Sequence, residues 1–221
     1  MSLGNIFAVI PARGGSKGIP NKNIIDVSGR PLIDYSIKAA LESNVDEVWV
    51  STDSPDIESV ALDSGANVLI RPDDISGDYS NSEEALVHFA KCVPDFDTLV
   101  FIQCTSPLTL SCDIDGGLSL YDSSDVDSVI SGCVDSGGYF CGGFQWLELD
   151  YAERVTPYEH QRQNSPTYYR ENGAFYINSR ANILEHKSRL HGNIKFYEMP
   201  KSRSFEIDSY EDLESLINLI G

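Results

Sequence analysis

The stretch from residue 7 to residue 23 constrains the fold of this 221-residue chain more than any other. It begins with an apolar run at residues 7–10, which is typical of a strand buried on both faces of a parallel sheet. Arg13 follows closely, and then two glycines, a serine, a lysine and a third glycine. Glycines let backbone amides approach anionic oxygens, and nearby cations offset the charge of those oxygens. The stretch therefore predicts a strand that leads into a loop for a polyphosphate.

The glycine loop matches neither of two common phosphate-binding motifs. Gly-x-x-x-x-Gly-Lys-Ser/Thr cannot be placed on residues 14–22, and Gly-x-Gly-x-x-Gly does not occur there. A basic glycine loop after a strand can also be an ordinary turn with solvated lysines. The loop alone leaves both interpretations open.

Predicted strands and helices alternate along much of the chain. Short apolar runs predict strands at 48–50, 68–70, 99–102, 128–131, 174–177 and 195–199. Apolar residues at helical spacing predict helices at 31–43, 56–64, 85–90 and 181–186, one after Asp113, and a last amphipathic helix through 213–220. This alternation predicts an α/β fold with a mostly parallel sheet and helices on both faces. We expect one domain over residues 1–221.

The charge of the chain narrows the choice of partners. With 34 acidic and 16 basic residues, the formal charge is −18, which argues against non-specific binding to nucleic acid or to an anionic membrane. An acidic protein that takes an anionic substrate must gather its few cations locally, usually with help from a divalent metal. The positions of the cations therefore indicate where the site lies.

The cysteines and the hydropathy indicate the compartment. The five cysteines include no Cys-x-x-Cys pair, and their number is odd, which is typical of a reduced cytoplasmic protein. No signal peptide and no apolar run near 18 residues is found, so a soluble protein is expected. The four histidines lack metal-ligand spacing, and no zinc site is expected.

The alternating pattern breaks between residues 135 and 170. Glycines at 137, 138, 142 and 143 are interleaved with aromatic residues, and residues 146–151 have the composition of a hairpin arm or an irregular excursion. A long irregular stretch in a compact domain is usually functional or packed on a partner. We interpret 135–170 as a protruding arm that joins two subunits and contributes a lid to the substrate cavity.

Polar residues follow three of the predicted strands, where ligands bind in open α/β sheets. Asp53 either supports the turn before Pro55 or faces a nucleotide cleft. Arg71 ends the next strand, where it either faces the cleft or lies on the surface. Gln103 and Thr105 lie in a Gln-x-Thr-Ser-Pro turn after the most hydrophobic strand, and a plain turn would begin in the same way.

Two further groups lie near the carboxyl terminus. Arg162 can bind a carboxylate through two parallel hydrogen bonds, although a surface salt bridge is the alternative. Glu206 and Asp208 are two residues apart on a segment expected to be extended, so both side chains point to one face. Paired carboxylate oxygens commonly hold Mg²⁺ beside substrate phosphates. Asp208 can also cap the last helix, and capping is compatible with metal binding.

These motifs, in this order, resemble those of the acylneuraminate cytidylyltransferases, the CMP-sialic acid synthetases. The resemblance covers nearly the whole chain: Arg-Gly-Gly-Ser-Lys-Gly-Ile-Pro-x-Lys-Asn at 13–23, Val-Ser-Thr-Asp at 50–53, Arg-Pro at 71–72, Gln-x-Thr-Ser-Pro at 103–107, Arg-Gln at 162–163, Asn-Gly-Ala-x-Tyr at 172–176 and Glu-Ile-Asp at 206–208. It implies a three-layer, Rossmann-like nucleotidyltransferase fold, dependence on Mg²⁺, and a homodimer. It also implies transfer of CMP from CTP to a nine-carbon sugar acid.

The resemblance also implies roles for individual residues. Those expected at the nucleotide are Arg13, Gly14, Gly15, Ser16, Lys17, Lys22, Asn23, Arg71, Ser80 and Ser82. Those expected at the sugar acid are Gln103, Thr105, Arg162, Gln163 and Tyr169, and those expected at Mg²⁺ are Glu206 and Asp208. Catalysis is expected to depend on Arg13, Lys17, Lys22 and Asp208.

Two departures from the family pattern leave the substrate open. Glu206 stands where the family has an aspartate, and no Lys or Arg occurs between Lys91 and Arg154, where the family often has a cation for the sugar. The sugar is therefore either sialic acid or another acid of the legionaminic, pseudaminic or eight-carbon KDO type, although the loop argues against KDO. The sequence also leaves open whether the nucleotide is CTP or GTP, and whether the chain is an enzyme or a non-catalytic nucleotide-sugar sensor.

Overall fold

The computed structural model describes residues 3–16, 18–77, 79–123, 125–135, 140–142, 152–154 and 168–220. The strands in these residues are β1 (Ile6–Pro11), β2 (Asp26–Val27), β3 (Arg30–Pro31), β4 (Glu47–Thr52), β5 (Asn67–Ile70), β6 (Thr98–Ile102), β7 (Ser128–Asp135), β8 (Phe140–Gly142), β9 (Ala152–Arg154), β10 (Tyr168–Ser179) and β11 (Ile194–Glu198). The α-helices are α1 (Leu32–Leu41), α2 (Pro55–Asp63), α3 (Ser82–Cys92), α4 (Ser111–Tyr121), α5 (Arg180–His186) and α6 (Tyr210–Ile220).

The main sheet has seven strands in the order β11-β7-β10-β6-β1-β4-β5. All of its pairings are parallel except those of β10, which runs antiparallel to β6 and to β7. After β1 the chain first builds β4 and β5 on one side and then returns to place β6 on the other. The strand order therefore reverses beside β1, and crevices outside the carboxyl ends of strands at such a point are the usual ligand sites.

The sheet divides the interior into two apolar layers, and β1 contributes side chains to both. Ile6, Ala8 and Ile10 belong to a buried cluster that includes residues of α1, α2 and α4. Phe7 and Val9 point the other way, into a cluster with residues of α3 and α5. Because successive side chains alternate across a strand, an apolar run in β1 serves both layers. The predicted three-layer α/β fold with a mostly parallel sheet is confirmed.

A third, smaller cluster joins the two ends of the chain. Ile19 and Val27, which follow the glycine loop, pack with Ile207, Leu213 and Leu216 near the carboxyl terminus. All five side chains are buried. This cluster holds the segment with Glu206 and Asp208 against the segment that follows β1.

Most predicted elements are present with small shifts at their ends. The helix expected after Asp113 begins earlier, at Ser111, and the strand expected at 174–177 is the end of the longer β10. Its length reflects two partners, because residues 175–179 pair with β6 whereas Tyr168 reaches Asp135 of β7. The register shifts between Glu171 and Tyr176. Because of this irregularity, the alternation of side chains does not predict the first half of β10.

The region expected to form an arm is described only in part. Strands β8 and β9 pair antiparallel, with Phe140 opposite Arg154. The predicted hairpin at 146–151 and most of the predicted arm lie outside the described residues. Among the described helices, none has the length and hydropathy that a bilayer-spanning helix requires.

Helix α4 provides a test of the packing. A Cβ atom built on Gly117 would lie 2.5 Å from the ring of Phe175 and 3.0 Å from Ile177. We expect Gly117→Ala to destabilise the fold by about 1–3 kcal/mol through overpacking, despite a gain in helix propensity of up to about 1 kcal/mol. Urea unfolding checks this, with exposed Ser119→Ala on the same helix as the control. An unfolding free energy equal to or above that of the wild type would contradict the packing described for α4.

Candidate functional site

A cleft of about 430 Å³ lies at the carboxyl ends of β1, β5 and β6, where the strand order reverses. Eleven residues that the sequence placed at the substrates or at a metal line this one cleft. They are Arg13, Ser16, Lys22, Asn23, Arg71, Ser80, Ser82, Gln103, Thr105, Glu206 and Asp208. Tertiary structure thus brings together residues that lie up to 195 positions apart in the chain.

The loop after β1 is held by contacts to neighbouring strand ends. The Gly14 amide donates to Asp53 Oδ1 at 3.0 Å, and Arg13 Nη1 donates to the Gly77 carbonyl at 2.7 Å. Asp53 is not among the residues that line the cleft. Asp53 therefore holds the glycine loop, which is neither of the two roles expected for it, since the contact is not in the turn before Pro55.

Asn23 fixes the other end of this loop. Its side-chain Nδ2 donates to the Arg13 carbonyl at 2.9 Å, and its Oδ1 accepts from the Cys104 thiol at 2.8 Å. Asn23 and Cys104 are both buried. Burial raises the pKa of the Cys104 thiol to about 12, with an opposing effect of Lys22. The thiol therefore remains protonated near neutral pH and keeps its role as the donor.

Arg71 is a buried cation on the cleft wall, with 6% of its surface exposed. Its Nη2 lies 3.9 Å from Asp53 Oδ1, and within the described part of the chain neither Nε nor Nη2 has a hydrogen-bond partner. Burial lowers the pKa of Arg71, while Asp53 opposes this shift. A buried guanidinium with unused donors is costly, so an oxygen-bearing ligand in the cleft would stabilise it.

The two carboxylates lie on the wall opposite Arg71's strand, in a segment that is neither helix nor strand. The expected alternation nevertheless holds, because Ile207 is fully buried while Glu206 and Asp208 are exposed to the cleft. The Ile207 amide donates to the Thr105 carbonyl at 2.9 Å, which attaches the segment to the turn after β6.

Charge distinguishes the two carboxylates. Lys22 Nζ donates to the Ile207 carbonyl at 2.9 Å and to Asp208 Oδ1 at 3.1 Å, so Asp208 has a cationic partner. Partial burial, followed by the charge of Asp208, raises the pKa of Glu206, although its side chain still reaches solvent through the cleft. A cation placed between the two carboxylates would relieve their repulsion.

The structure does not bring every predicted residue to the cleft. Gly14 and Gly15 belong to the loop but are not among the lining residues. Tyr169 is 53% exposed and packs on Phe196, with ring centroids 4.6 Å apart. The predictions for Lys17, Arg162 and Gln163 lie outside the described residues.

Sequence reasoning missed several lining residues. Asn81 lies in the cleft and caps α3, since its side chain accepts from the Glu84 amide at 2.9 Å. The Asn-x-x-Glu spacing is the sequence signal of such a cap. Cys104 and Phe101 also line the cleft, but nothing in the sequence separates them from ordinary core residues.

Within the described residues, no group of three or more His, Cys, Asp or Glu side chains is arranged to hold a metal ion. Among the described residues, Glu206 and Asp208 are therefore a pair of candidate ligands. Hard oxygen donors in such small number suit Mg²⁺, which usually retains waters and shares phosphate oxygens with its substrate.

A family model described as cytidylyltransferase matches residues 7–219, which is nearly the whole chain. The chain belongs to the cytidylyltransferase family. The resemblance found in the motifs is thereby confirmed, and the enzyme class that it implies is nucleotidyltransferase.

Individual members of the family are similar at the level of sequence. The chain is 38% identical to N-acylneuraminate cytidylyltransferase B of Danio rerio over 209 residues, which cover 91% of this chain and 48% of that protein. It is 33% identical to an N-acylneuraminate cytidylyltransferase of Streptococcus agalactiae over 221 residues, which cover 97% and 52%. The chain thus spans about half the length of the curated relatives it matches.

Solved structures share the fold. A CMP:2-keto-3-deoxy-manno-octonic acid synthetase complexed with CTP has a TM-score of 0.73 at 22% identity, with 98% of both chains covered. A 4-diphosphocytidyl-2C-methyl-D-erythritol synthase from Anaerococcus prevotii also has a TM-score of 0.73, at 12% identity and 98% coverage of both chains. Both likenesses support the cytidylyltransferase fold.

The Cys104 thiol allows a matched test of the loop geometry. We expect Cys104→Ala to leave Asn23 Oδ1 without its donor, at a cost of about 1 kcal/mol, and so to speed amide hydrogen exchange in residues 13–23 about fivefold. Cys104→Ser keeps a donor and should stay nearer to the wild type. Equal exchange in the alanine variant and the wild type would show that the thiol does not hold the loop.

Proposed function

We propose that this cytidylyltransferase transfers CMP from CTP to the anomeric hydroxyl of a sialic-acid-like nonulosonic acid and releases pyrophosphate. The observation that carries the proposal is the composition of this cleft. Its first wall is the basic glycine loop with Lys22, its second wall is Glu206 with Asp208, and neutral Gln103 and Thr105 also line it. The two walls meet where Lys22 contacts Asp208. The names of the curated relatives support the choice of N-acylneuraminate as the substrate class.

The reaction is an in-line displacement at the α-phosphorus. The anomeric oxygen of the sugar forms a bond to this phosphorus, the bond to the bridging oxygen of the β-phosphate breaks, and pyrophosphate leaves with that oxygen. The hydroxyl proton passes to a base, and a carboxylate of the cleft, Glu206 or Asp208, is suitable. Charge accumulates on the phosphoryl oxygens, so positioning and neutralisation provide most of the catalysis.

The cations of the first wall suit the triphosphate. Arg13 and Lys22 line the cleft and provide charge, while Ser16 offers a hydroxyl. Lys17 is proposed for the same role from its place in the motif. The buried guanidinium of Arg71, with two unused donors, suits a carbonyl or hydroxyl oxygen of the nucleoside, beside Asn23, Ser80 and Ser82.

Magnesium fits the second wall. The raised pKa of Glu206, caused by burial and then by Asp208, indicates two carboxylates that gain from a cation between them. When bound, Mg²⁺ would neutralise phosphate charge and polarise the phosphoryl oxygens. In this proposal Glu206 and Asp208 hold the ion, and Lys22, which contacts Asp208, remains within reach of the phosphates.

The sugar half of the cleft is assigned from residue chemistry. Gln103 and Thr105 provide neutral hydrogen bonds in the cleft. Arg162 is proposed to bind the sugar carboxylate, with Gln163 and Tyr169 nearby in a lid that residues 135–170 form. We further propose a homodimer built through this arm, which a monomer in sedimentation at micromolar concentration would contradict.

We also propose a cytoplasmic enzyme, where CTP is available. Cys92, Cys104, Cys112 and Cys133 are free of disulfide bonds. A reduced compartment is consistent with four free thiols. A disulfide between any two of these cysteines in protein freshly isolated from its cell would argue against this location.

Pyrophosphate release tests the proposed activity. We expect release with CTP, Mg²⁺ and a nine-carbon 2-keto sugar acid, and none with KDO or with GTP. Activity with only legionaminic or pseudaminic acid would keep the proposed reaction and identify a different nonulosonic acid as the substrate. CTP binding without release, for any acid in the panel, would support a nucleotide-sugar sensor instead.

Asp208→Asn is the matching inactive variant. Its carboxylate is 73% exposed, so the substitution should preserve the fold while turnover falls at least a hundredfold. The remote exposed change Asp56→Asn should leave turnover unchanged. Turnover of Asp208→Asn within threefold of the wild type at saturating Mg²⁺ would remove Asp208 from the proposed metal site.

Arg162→Met tests the division of the cleft. Removal of the guanidinium leaves the sugar carboxylate desolvated and poorly paired, at a cost of about 2–5 kcal/mol if the lid excludes water. The KM for the sugar acid should rise at least tenfold while the KM for CTP stays nearly constant. Arg13→Ala should show the reverse pattern, with a raised KM for CTP and a nearly constant KM for the sugar acid. If Arg162→Met instead raises the KM for CTP and not that for the sugar acid, the assignment of the nucleotide and sugar halves of the cleft is wrong.

A further inference from the structure

Two charged residues outside the cleft, Arg203 and Asp113, join two of its walls. Arg203 ends a short 3-10 helix at Lys201–Arg203 and precedes Glu206 by three residues. Asp113 lies in the first turn of α4, which follows the turn that carries Gln103 and Thr105. The Arg203 Nη2 atom donates a hydrogen bond to Asp113 Oδ1.

Burial makes the two residues depend on each other. Asp113 is 1% exposed, and its other oxygen, Oδ2, accepts from the Leu110 amide at 3.0 Å. Arg203 is the one cation found within ion-pair distance of Asp113 in the described part of the chain. A buried carboxylate that loses its cation is strongly destabilised, so Asp113 holds the Arg203 guanidinium at this position.

In the described part of the chain, Asp113 is the one hydrogen-bond partner found for the Arg203 guanidinium. Its Nε atom is buried and has no hydrogen-bond partner among the described residues. The carboxylate of Asp113 is thus the contact that fixes Arg203, and through it the start of residues 204–208.

The segment after Arg203 has no secondary structure of its own. Neutral hydrogen bonds attach it at two points: Asn172 Nδ2 donates to Ser204 Oγ at 2.9 Å, and the Ile207 amide donates to the Thr105 carbonyl at 2.9 Å. Between these points lies Glu206, one of the two carboxylates. The ion pair at Arg203 is the charged attachment at the amino-terminal end of the segment, and Lys22 provides the one at its carboxyl-terminal end.

We propose that Arg203 and Asp113 are positioning residues whose ion pair sets the place of Glu206 and Asp208 beside Gln103 and Thr105. The pair touches neither substrate. It acts by holding the start of the segment with the carboxylates against α4, the helix that follows the turn after β6. The inference rests on the proposed function insofar as these carboxylates hold the divalent cation that accompanies CTP.

Binding of Mn²⁺ in the presence of CTP, followed by electron paramagnetic resonance, reports on this geometry without turnover. We expect Arg203→Met to weaken Mn²⁺ binding at least fivefold, while CTP binding without metal stays within twofold of the wild type. Arg203→Lys keeps the charge but loses the planar guanidinium, and should lie between the two. Exposed Lys201→Met, in the same 3-10 helix, is the matched control and should bind Mn²⁺ normally.

A double variant separates positioning from stability. Arg203→Met alone buries an unpaired carboxylate and should lower the melting temperature; Arg203→Met with Asp113→Asn removes both charges and should recover much of that loss. The Mn²⁺ defect should persist in the double variant, because the attachment is still missing. Should the single variant fail to fold, the double variant and Arg203→Lys still provide the comparison.

Two outcomes would overturn the inference. Mn²⁺ affinity within twofold of the wild type in the double variant would show that the pair only stabilises α4. A wild type that binds no Mn²⁺ with CTP would remove the site that the pair is proposed to position. Failure of the proposed function is distinct: the wild type would bind Mn²⁺ and CTP and release no pyrophosphate with any sugar acid, while the variants would still decide the role of Arg203.

Discussion

The cleft depends on the attachment of residues 204–208 to the segment that follows β1. Lys22 Nζ reaches the Ile207 carbonyl and the Asp208 carboxylate, which lie 185 and 186 positions away in the chain. The Ile207 side chain is buried in the small cluster with Ile19 and Val27. Burial of Ile207 stabilises the segment and fixes its backbone, so that both neighbouring carboxylates are presented to the cleft. The Lys22 ammonium then orients the Asp208 carboxylate. Without this attachment the segment with the carboxylates would not be held beside the segment that follows β1.

Electrostatics explains why a chain of net charge −18 can hold an anionic ligand. Arg13, Lys22 and Arg71 line the cleft, and each is tied to the protein rather than to solvent alone. Hydrogen bonds to the Gly77 and Ile207 carbonyls orient Arg13 and Lys22, and the charge of Asp53, 3.9 Å from Arg71 Nη2, attracts the Arg71 guanidinium. Cations held in this way need little reorganisation when a ligand arrives, which is the physical basis of electrostatic preorganisation.

The hydrogen bond between Asn23 and Cys104 is one contact of the cleft that does not change its protonation state near neutral pH. Burial raises the pKa of the thiol to about 12, so the contact between the thiol and the amide keeps one direction of donation across the physiological range. The amide in turn fixes the Arg13 carbonyl, and with it the start of the glycine loop. A neutral contact beneath a charged loop adds no charge to a site that must balance phosphate against carboxylate.

The sequence by itself determined the α/β class, the order of strands and helices along the chain, and most of the residues that line the cleft. Periodicity identifies β1, β4 and β6 because strands buried on both faces must be apolar throughout, and polar residues such as Arg71 and Gln103 follow directly at strand ends. Only the tertiary structure decided the direction and length of β10, whose antiparallel pairing and register shift leave no periodic signal. It also decided that Asp53 supports the glycine loop, and that Asp113 and Arg203 are paired. These are contacts between residues distant in sequence, and local pattern cannot reveal them because each partner, taken alone, is an ordinary cap, turn or surface charge.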